Sequence, residues 1–214
     1  MAADFNRKTM KSVTWEDEPW TDGDKLDAYV WVANATFIQI KNLKRLIAKP
    51  IPPTGQKAKG YVRKVLVLAG PYDVLVGVTA DSLASLEKLV LGPIHTIVKN
   101  TETAISMWPK GESGQGGANP GPHPWGAIWP PPANPDAMVQ VQVTSGPAQL
   151  TKVYHTLYKT LDTFMAASVM GTGDHQILLE LGSGTHSAVL GDIAKLSGIS
   201  GIGGFTSHWV LQGP

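Results

Sequence analysis

The chain has no cysteine among its 214 residues. That excludes a disulfide scaffold, Cys-ligated zinc, an iron–sulfur cluster and thiol catalysis. Neither sign of charge is in excess, since 18 basic and 17 acidic residues leave +1. A broad electrostatic surface for nucleic acid is therefore not expected. Long hydrophobic runs are also missing. Nothing approaches the ~18 uninterrupted apolar residues of a membrane span. The N-terminus, MAADFNRKTMKSVTWEDEPWTDGDK, lacks the apolar stretch of a secretory signal. The expectation is a cytoplasmic protein without membrane contact. Charged residues make up only 16% and hydrophobic ones 43%. Such a chain folds, because disorder needs fewer apolar residues and a larger net charge.

Proline and glycine are abundant, but concentrated. Trp108 to Pro135 reads WPKGESGQGGANPGPHPWGAIWPPPANP, with 8 Pro and 6 Gly in 28 residues. Helix and strand do not tolerate that density. The segment also carries Trp108, Trp125 and Trp129, which a purely solvated spacer would not. Trp15 and Trp20 give the polar N-terminal stretch the same character. Both arms are expected to lie on their own domain or on a neighbouring subunit. The chain thus divides into an N-terminal arm (1–26), a first unit (27–107), a Pro/Gly/Trp arm (108–135) and a second unit (136–214).

Periodicity gives the two units the same order of elements. In the first, AYVWVA (Ala28–Ala33) predicts a strand, and Phe37, Ile40, Leu43 and Ile47 a helix. After a Pro/Gly loop, Tyr61–Leu68 and Val74–Val78 read as strands around the turn Gly70-Pro71-Tyr72-Asp73. Leu83, Leu86, Leu89 and Val90 mark a helix capped by Asp81 or Ser82, with Gly92-Pro93 ending or kinking it. Thr101–Met107 is the last strand. In the second unit, Val139, Val141 and Val143 alternate with Gln140 and Gln142, which predicts a strand with one polar face. A helix stripe (Leu150, Val153, Tyr154, Leu157, Leu161), two strands (Phe164–Met170 and Ile177–Leu181), a helix (Val189, Ile193, Leu196), a glycine loop over 198–204 and a strand (Phe205–Leu211) follow.

Both units therefore read β-α-β-β-α-β, the ferredoxin-like pattern. Gly70 and Asp73 recur as Gly171 and Asp174 at a constant offset, as expected of a two-copy internal repeat. The predicted class is α+β, two tandem ferredoxin-like repeats. In each, helices cover one sheet face and the other, apolar, face needs a second sheet.

AGPYDVLVGVTADSLASLEKLV followed by VKNTETAISM resembles the effector-binding domain of the Lrp/AsnC regulators. Gly70, Tyr72 and Asp73 match that family's G-x-Y-D turn, Asp81 its acidic helix start, and Val98, Thr101 and Thr103 its approach to the last strand. The resemblance covers Ala28 to Met107, and the second unit looks like a divergent copy. It implies the dimeric α/β-barrel manner of pairing sheets, either within the chain or between subunits. It also implies a non-enzymatic homo-oligomer that binds a small molecule, such as an amino acid, at repeat or subunit junctions. DNA binding is not carried across. The 26 residues before the first strand are too few for a helix-turn-helix, and no direct nucleic-acid contact is expected.

The ligand site implied by the resemblance comprises Gly70, Tyr72, Asp73, Thr101 and Thr103 with Gly171, Gly173, Asp174 and His175. Asp would bind an amino group and Tyr would line the cavity. The plainer account is a turn in which Gly takes positive φ and Asp bonds local backbone. No metal site is expected, since the six histidines show no paired ligand spacing. No cofactor is expected either. The alternative is a haem-binding or cofactor-free oxidoreductase of the same superfamily. Chlorite dismutase-like and dye-decolourising peroxidase families also fuse two such repeats and bind haem through a second-repeat His. His155, His175, His186 and His208 would be the candidates here, although those families' motifs are missing. A third reading is a ring, shell or filament subunit with no ligand. Nucleophilic catalysis lacks support, because GSGTH over 182–186 is not a strand-to-helix nucleophile elbow. It reads as a helix start capped by Ser183 or Thr185.

Overall fold

The computed structural model describes residues 26–47, 60–107, 135–144, 147–161, 164–170, 177–182 and 185–211. Both tryptophan-bearing arms lie outside the described residues. The strands are β1 (Leu26–Val32), β2 (Gly60–Ala69), β3 (Val74–Ala80), β4 (Thr101–Met107), β5 (Ala137–Val143), β6 (Phe164–Met170), β7 (Ile177–Leu181) and β8 (Ile202–Leu211). The helices are α1 (Phe37–Lys44), α2 (Leu83–Leu89), the single turn α3 (His95–Ile97), α4 (Pro147–Thr160) and α5 (His186–Leu196). A π-helical stretch, Val90–Ile94, joins α2 to α3.

All eight strands pair antiparallel into one closed barrel, in the order β1-β3-β2-β8-β5-β7-β6-β4. The first unit contributes β4-β1-β3-β2 and the second β8-β5-β7-β6. The two meet at β2–β8, where Leu68 faces Val210, and at β4–β6, where Ser106 faces Val169. The class is α+β, an antiparallel sheet with few helices.

Strand alternation sorts the apolar residues into three cores. Ala28, Val30, Val32, Val74, Val76 and Val78 point outward and pack with Leu43 of α1 and Leu86 and Leu89 of α2. Val139, Val141, Ile177 and Leu179 do the same with Val153, Leu157 and Leu161 on or just beyond α4 and Val189 and Leu196 of α5. The inward residues, Tyr29, Trp31, Leu68, Leu75, Ala104, Met138 and Leu178, form the third core inside the barrel.

Helix ends are fixed locally. Thr36 caps α1 in a reciprocal capping box with Gln39. Ser82, one of the two candidates, caps α2, and Thr185 caps α5. Pro93 removes one backbone donor, and the chain continues as a π turn rather than ending the helix there.

Several expectations need correction. Phe37 is 77% exposed and Leu83 60%. Each opens the first turn of its helix directly after the cap, outside the stripe that reaches the sheet. Gln140 does not lie on a polar, solvated face. It is buried, because the inward face of β5 is roofed by the opposite sheet. The glycine run is only partly a loop, since β8 already begins at Ile202. Gly203 lies against the Thr144 side chain, where a Cβ would come within 2.6 Å, so a strand glycine there admits a close neighbour.

Leu157 is fully buried between α4 and the second sheet. Leu157→Ala is expected to cost about 2–5 kcal/mol, read as a lower urea midpoint at unchanged slope. A cost under ~1 kcal/mol would show that this layer is not a packed core.

Candidate functional site

Among the described residues the barrel interior holds most of the buried polar side chains. Thr79, Gln140, Glu180 and His208 are all under 5% exposed. Burial of such groups is unfavourable unless they are hydrogen-bonded or paired. Two clusters account for most of them.

The first spans the barrel. Glu180, on β7, receives Lys64 of β2 as an ion pair and the Tyr29 hydroxyl of β1 at 3.3 Å, both on Oε1. Gly77 lies between Tyr29 and Lys64 in register across β1, β3 and β2. The Lys64 ammonium sits 5.8 Å from the centre of the Tyr29 ring. No donor among the described residues reaches Glu180 Oε2, which is buried.

The second cluster sits at the end of the barrel marked by the β2–β3 turn. Trp31, Tyr72 and His208 form a triangle of tilted rings, with centroids 5.2, 5.1 and 5.7 Å apart. His208 Nε2 lies 3.3 Å from Gln140 Oε1. The Tyr72 hydroxyl donates to Glu102 at 2.5 Å. Burial of Tyr72 and the adjacent Glu102 carboxylate push the phenol up to about 12. The cluster runs from fully buried His208 and Trp31 through half-buried Tyr72 to exposed Glu102.

The predicted site residues separate into four groups. Gly70 and Tyr72 belong to the ring cluster. A Cβ on Gly70 would lie 2.6 Å from His208 Nδ1. Positive φ among the described glycines is confined to Gly201. Gly70 is thus explained by the imidazole against it, not by backbone conformation. Asp73 takes a structural role. Its Oδ2 accepts from the Ala35 amide at 2.9 Å and its backbone N–H donates to Val32, which ties down the turn after β1, where Asn34 adopts φ 59°. Thr101 bonds His95 Nε2 at 2.5 Å. On β4 the inward positions are those of Glu102 and Ala104, so Thr101 and Thr103 alternate to the helix side, away from the rings. Gly171, Gly173, Asp174 and His175 lie outside the described residues.

Sequence reading named His208 only as a haem candidate and missed Tyr29, Lys64, Glu102, Gln140 and Glu180. A signal was available. Lys64 in YVRKVLVL and Glu180 in ILLEL are charges inside apolar strands, the mark of a strand buried on both faces.

Among the described residues no group of three or more His, Asp or Glu could hold a metal ion. The described histidines do not fit haem either. His95 is bonded to Thr101, exposed His186 stacks on Trp209 at 5.1 Å, and His208 is enclosed by Trp31, Tyr72 and Gln140. Among the described residues, aliphatic side chains pack the layer between α4, α5 and their sheet, with Phe205 and Trp209 against them. The side chains of His155 and His175 lie outside this description.

Comparison with known proteins agrees at the level of fold. No family model and no curated protein matches the chain. Among solved structures it is similar to a mutant chlorite dismutase from Candidatus Nitrospira defluvii, at 11% identity and a TM-score of 0.55 over 89% of this chain and 92% of that one. A second mutant of that enzyme gives 11% identity and 0.51 over 88% and 91%. An anthrone oxidase-like protein, at 12% identity over 94% of both chains, reaches only 0.40 and carries no weight. At 11% identity the likeness to the chlorite dismutase structures is one of fold alone. Nothing in these likenesses singles out the Lrp/AsnC group.

Gly70→Ala is expected to destabilise by about 1–3 kcal/mol through the clash with His208, measured by chemical denaturation. A neutral result would place the ring elsewhere. Tyr72 gives a pH signature. Its folded pKa lies above its unfolded value of 10.0, so its contribution is complete below pH ~10 and is lost as pH rises through ~12. Tm should fall more steeply over that interval in the wild type than in Tyr72→Phe. Parallel curves would contradict the Tyr72–Glu102 bond.

Proposed function

We propose that the chain is a tandem pair of ferredoxin-like units, fused as in a dimeric α/β barrel, which binds one planar small molecule at the barrel end beside the Gly70–Asp73 turn. The strand orders β4-β1-β3-β2 and β8-β5-β7-β6 support the first part, since both follow the 4-1-3-2 order of strands within their unit. The ring triangle of Trp31, Tyr72 and His208 carries the second. Aromatic walls with a few convergent polar groups, here Gln140 and Glu102, are the composition of a ligand site. An eight-stranded barrel has an interior wide enough for side chains or for one small ligand.

This reading keeps the small-molecule function implied by the Lrp/AsnC resemblance and relocates the site. The turn lies beside the seam between the two units, where Ala69 pairs with Trp209. The ligand meets rings and amides there, with Asp73 already committed to backbone. An aromatic compound therefore suits the site better than a free amino acid.

The test uses the purified protein with naphthalene and 2-naphthol as probes, read by Trp fluorescence and thermal shift. Saturable quenching with a raised Tm, weakened about tenfold or more in Tyr72→Ala, is the expected result. A Soret band on the purified protein would overturn it in favour of the haem reading. Large assemblies by light scattering with neither probe bound would overturn it in favour of a structural subunit.

A further inference from the structure

The ring cluster is the ground for proposing a planar ligand; the cluster across the barrel bears on the functional group such a ligand would carry. Glu180 is 1% exposed, and both of its described partners, Lys64 and Tyr29, converge on Oε1. Oε2 is equally buried and no described residue donates to it. A buried carboxylate oxygen without a donor is unfavourable, so this position selects for something that brings one.

The donor has to be neutral. The Lys64 ammonium already balances the charge of Glu180, and a second cation would be placed beside the first, where like charges repel. A hydroxyl meets the requirement. The spacing also connects the two clusters. Met138 on β5 is the register partner of both His208 on β8 and Glu180 on β7. His208 and Glu180 therefore stand two strands apart, with Cα atoms about 10 Å from one another. One fused-ring molecule spans that distance. The residue between them is methionine, whose unbranched side chain repacks readily.

We infer that Glu180 Oε2 is the hydrogen-bond acceptor for a hydroxyl group on the aromatic ligand, so that the protein prefers phenol-type compounds over unsubstituted aromatics. The inference rests on the ligand site proposed above and adds its chemical selectivity. No covalent step is involved. The bond is charge-assisted, because the acceptor is an ionised carboxylate held by Lys64 and Tyr29.

The experiment compares the dissociation constants of 2-naphthol and naphthalene by fluorescence titration of the full chain, wild type and Glu180→Gln. In the wild type 2-naphthol is expected to bind about tenfold or more tightly than naphthalene, the scale of a hydrogen bond to a charged group. In Glu180→Gln the preference of 2-naphthol over naphthalene should shrink to about threefold or less. Equal affinities in the wild type would overturn this inference and leave the ring-lined site standing. Failure of both probes to bind would remove the site itself. If Glu180→Gln does not fold, the wild-type comparison decides alone. Should the hydroxyl preference survive intact in a folded Glu180→Gln, the acceptor is another group and the inference falls.

Discussion

A strand that is apolar on both sides needs two covers, and this chain supplies both from its own length. Helices shelter the outward faces of β1, β3, β5 and β7, and each sheet shelters the inward face of the other. Closure also pairs β2 with β8 and β4 with β6, so backbone donors that would stand open at a sheet edge are satisfied. Three layers of contact follow from one constraint. The interior layer cannot form unless both halves are folded, because it draws Tyr29, Trp31 and Leu75 from one half and Met138 and Leu178 from the other.

The polar groups inside are set by the same closure. An ion pair such as Lys64–Glu180, formed across the lumen between residues far apart in sequence, gains little stability over an apolar pair of similar shape. Its effect is on geometry. It fixes which row of the first sheet faces which row of the second, much as a polar position fixes register in other packed interfaces. Tyr29 bonds the same carboxylate oxygen, and Trp31, two residues on, carries the orientation to the ring cluster. The two clusters are therefore mechanically one unit, tied through β1.

Sequence patterning made the outward cores legible. Valines at every second position and helical stripes at Leu86–Leu89 and Val153–Leu157 point to one buried face per element. The eight strands were all readable, and so was the order of elements. The inward face was not, because membership in it depends on which sheet lies opposite, and that is a property of long-range pairing. Gln140 illustrates the limit: alternation in VQVQV is the same whether the glutamines meet water or a second sheet. Gly70 and Tyr72 were recognised as a pair through a family pattern, yet the physical reason for Gly70 is a histidine from the other end of the chain. Asp73, read as a ligand contact, is occupied by the Ala35 amide, and a short carboxylate next to a turn gives no sign in sequence of which backbone it will hold.

Closure changes the argument for association as well. An open sheet face would have required a partner. With the barrel closed within one chain, that reason for an obligatory dimer disappears, and any self-association has to draw on the outer surface. Among the described residues the large apolar side chains exposed there are Phe37 and Ile38 on α1, Ile47 beyond it, Leu83 and Leu91 around α2, Leu190 on α5 and Leu211 at the end of β8. Scattered exposed apolar residues are ordinary on globular proteins, and most of these lie on or beside the helices of both units. A ligand bound at the proposed site and any assembly would rest on different side chains in this architecture. The first depends on side chains that point into the barrel and the second on side chains that point away from it. Changes to the helix surfaces leave the ring triangle and the Lys64–Glu180 pair undisturbed.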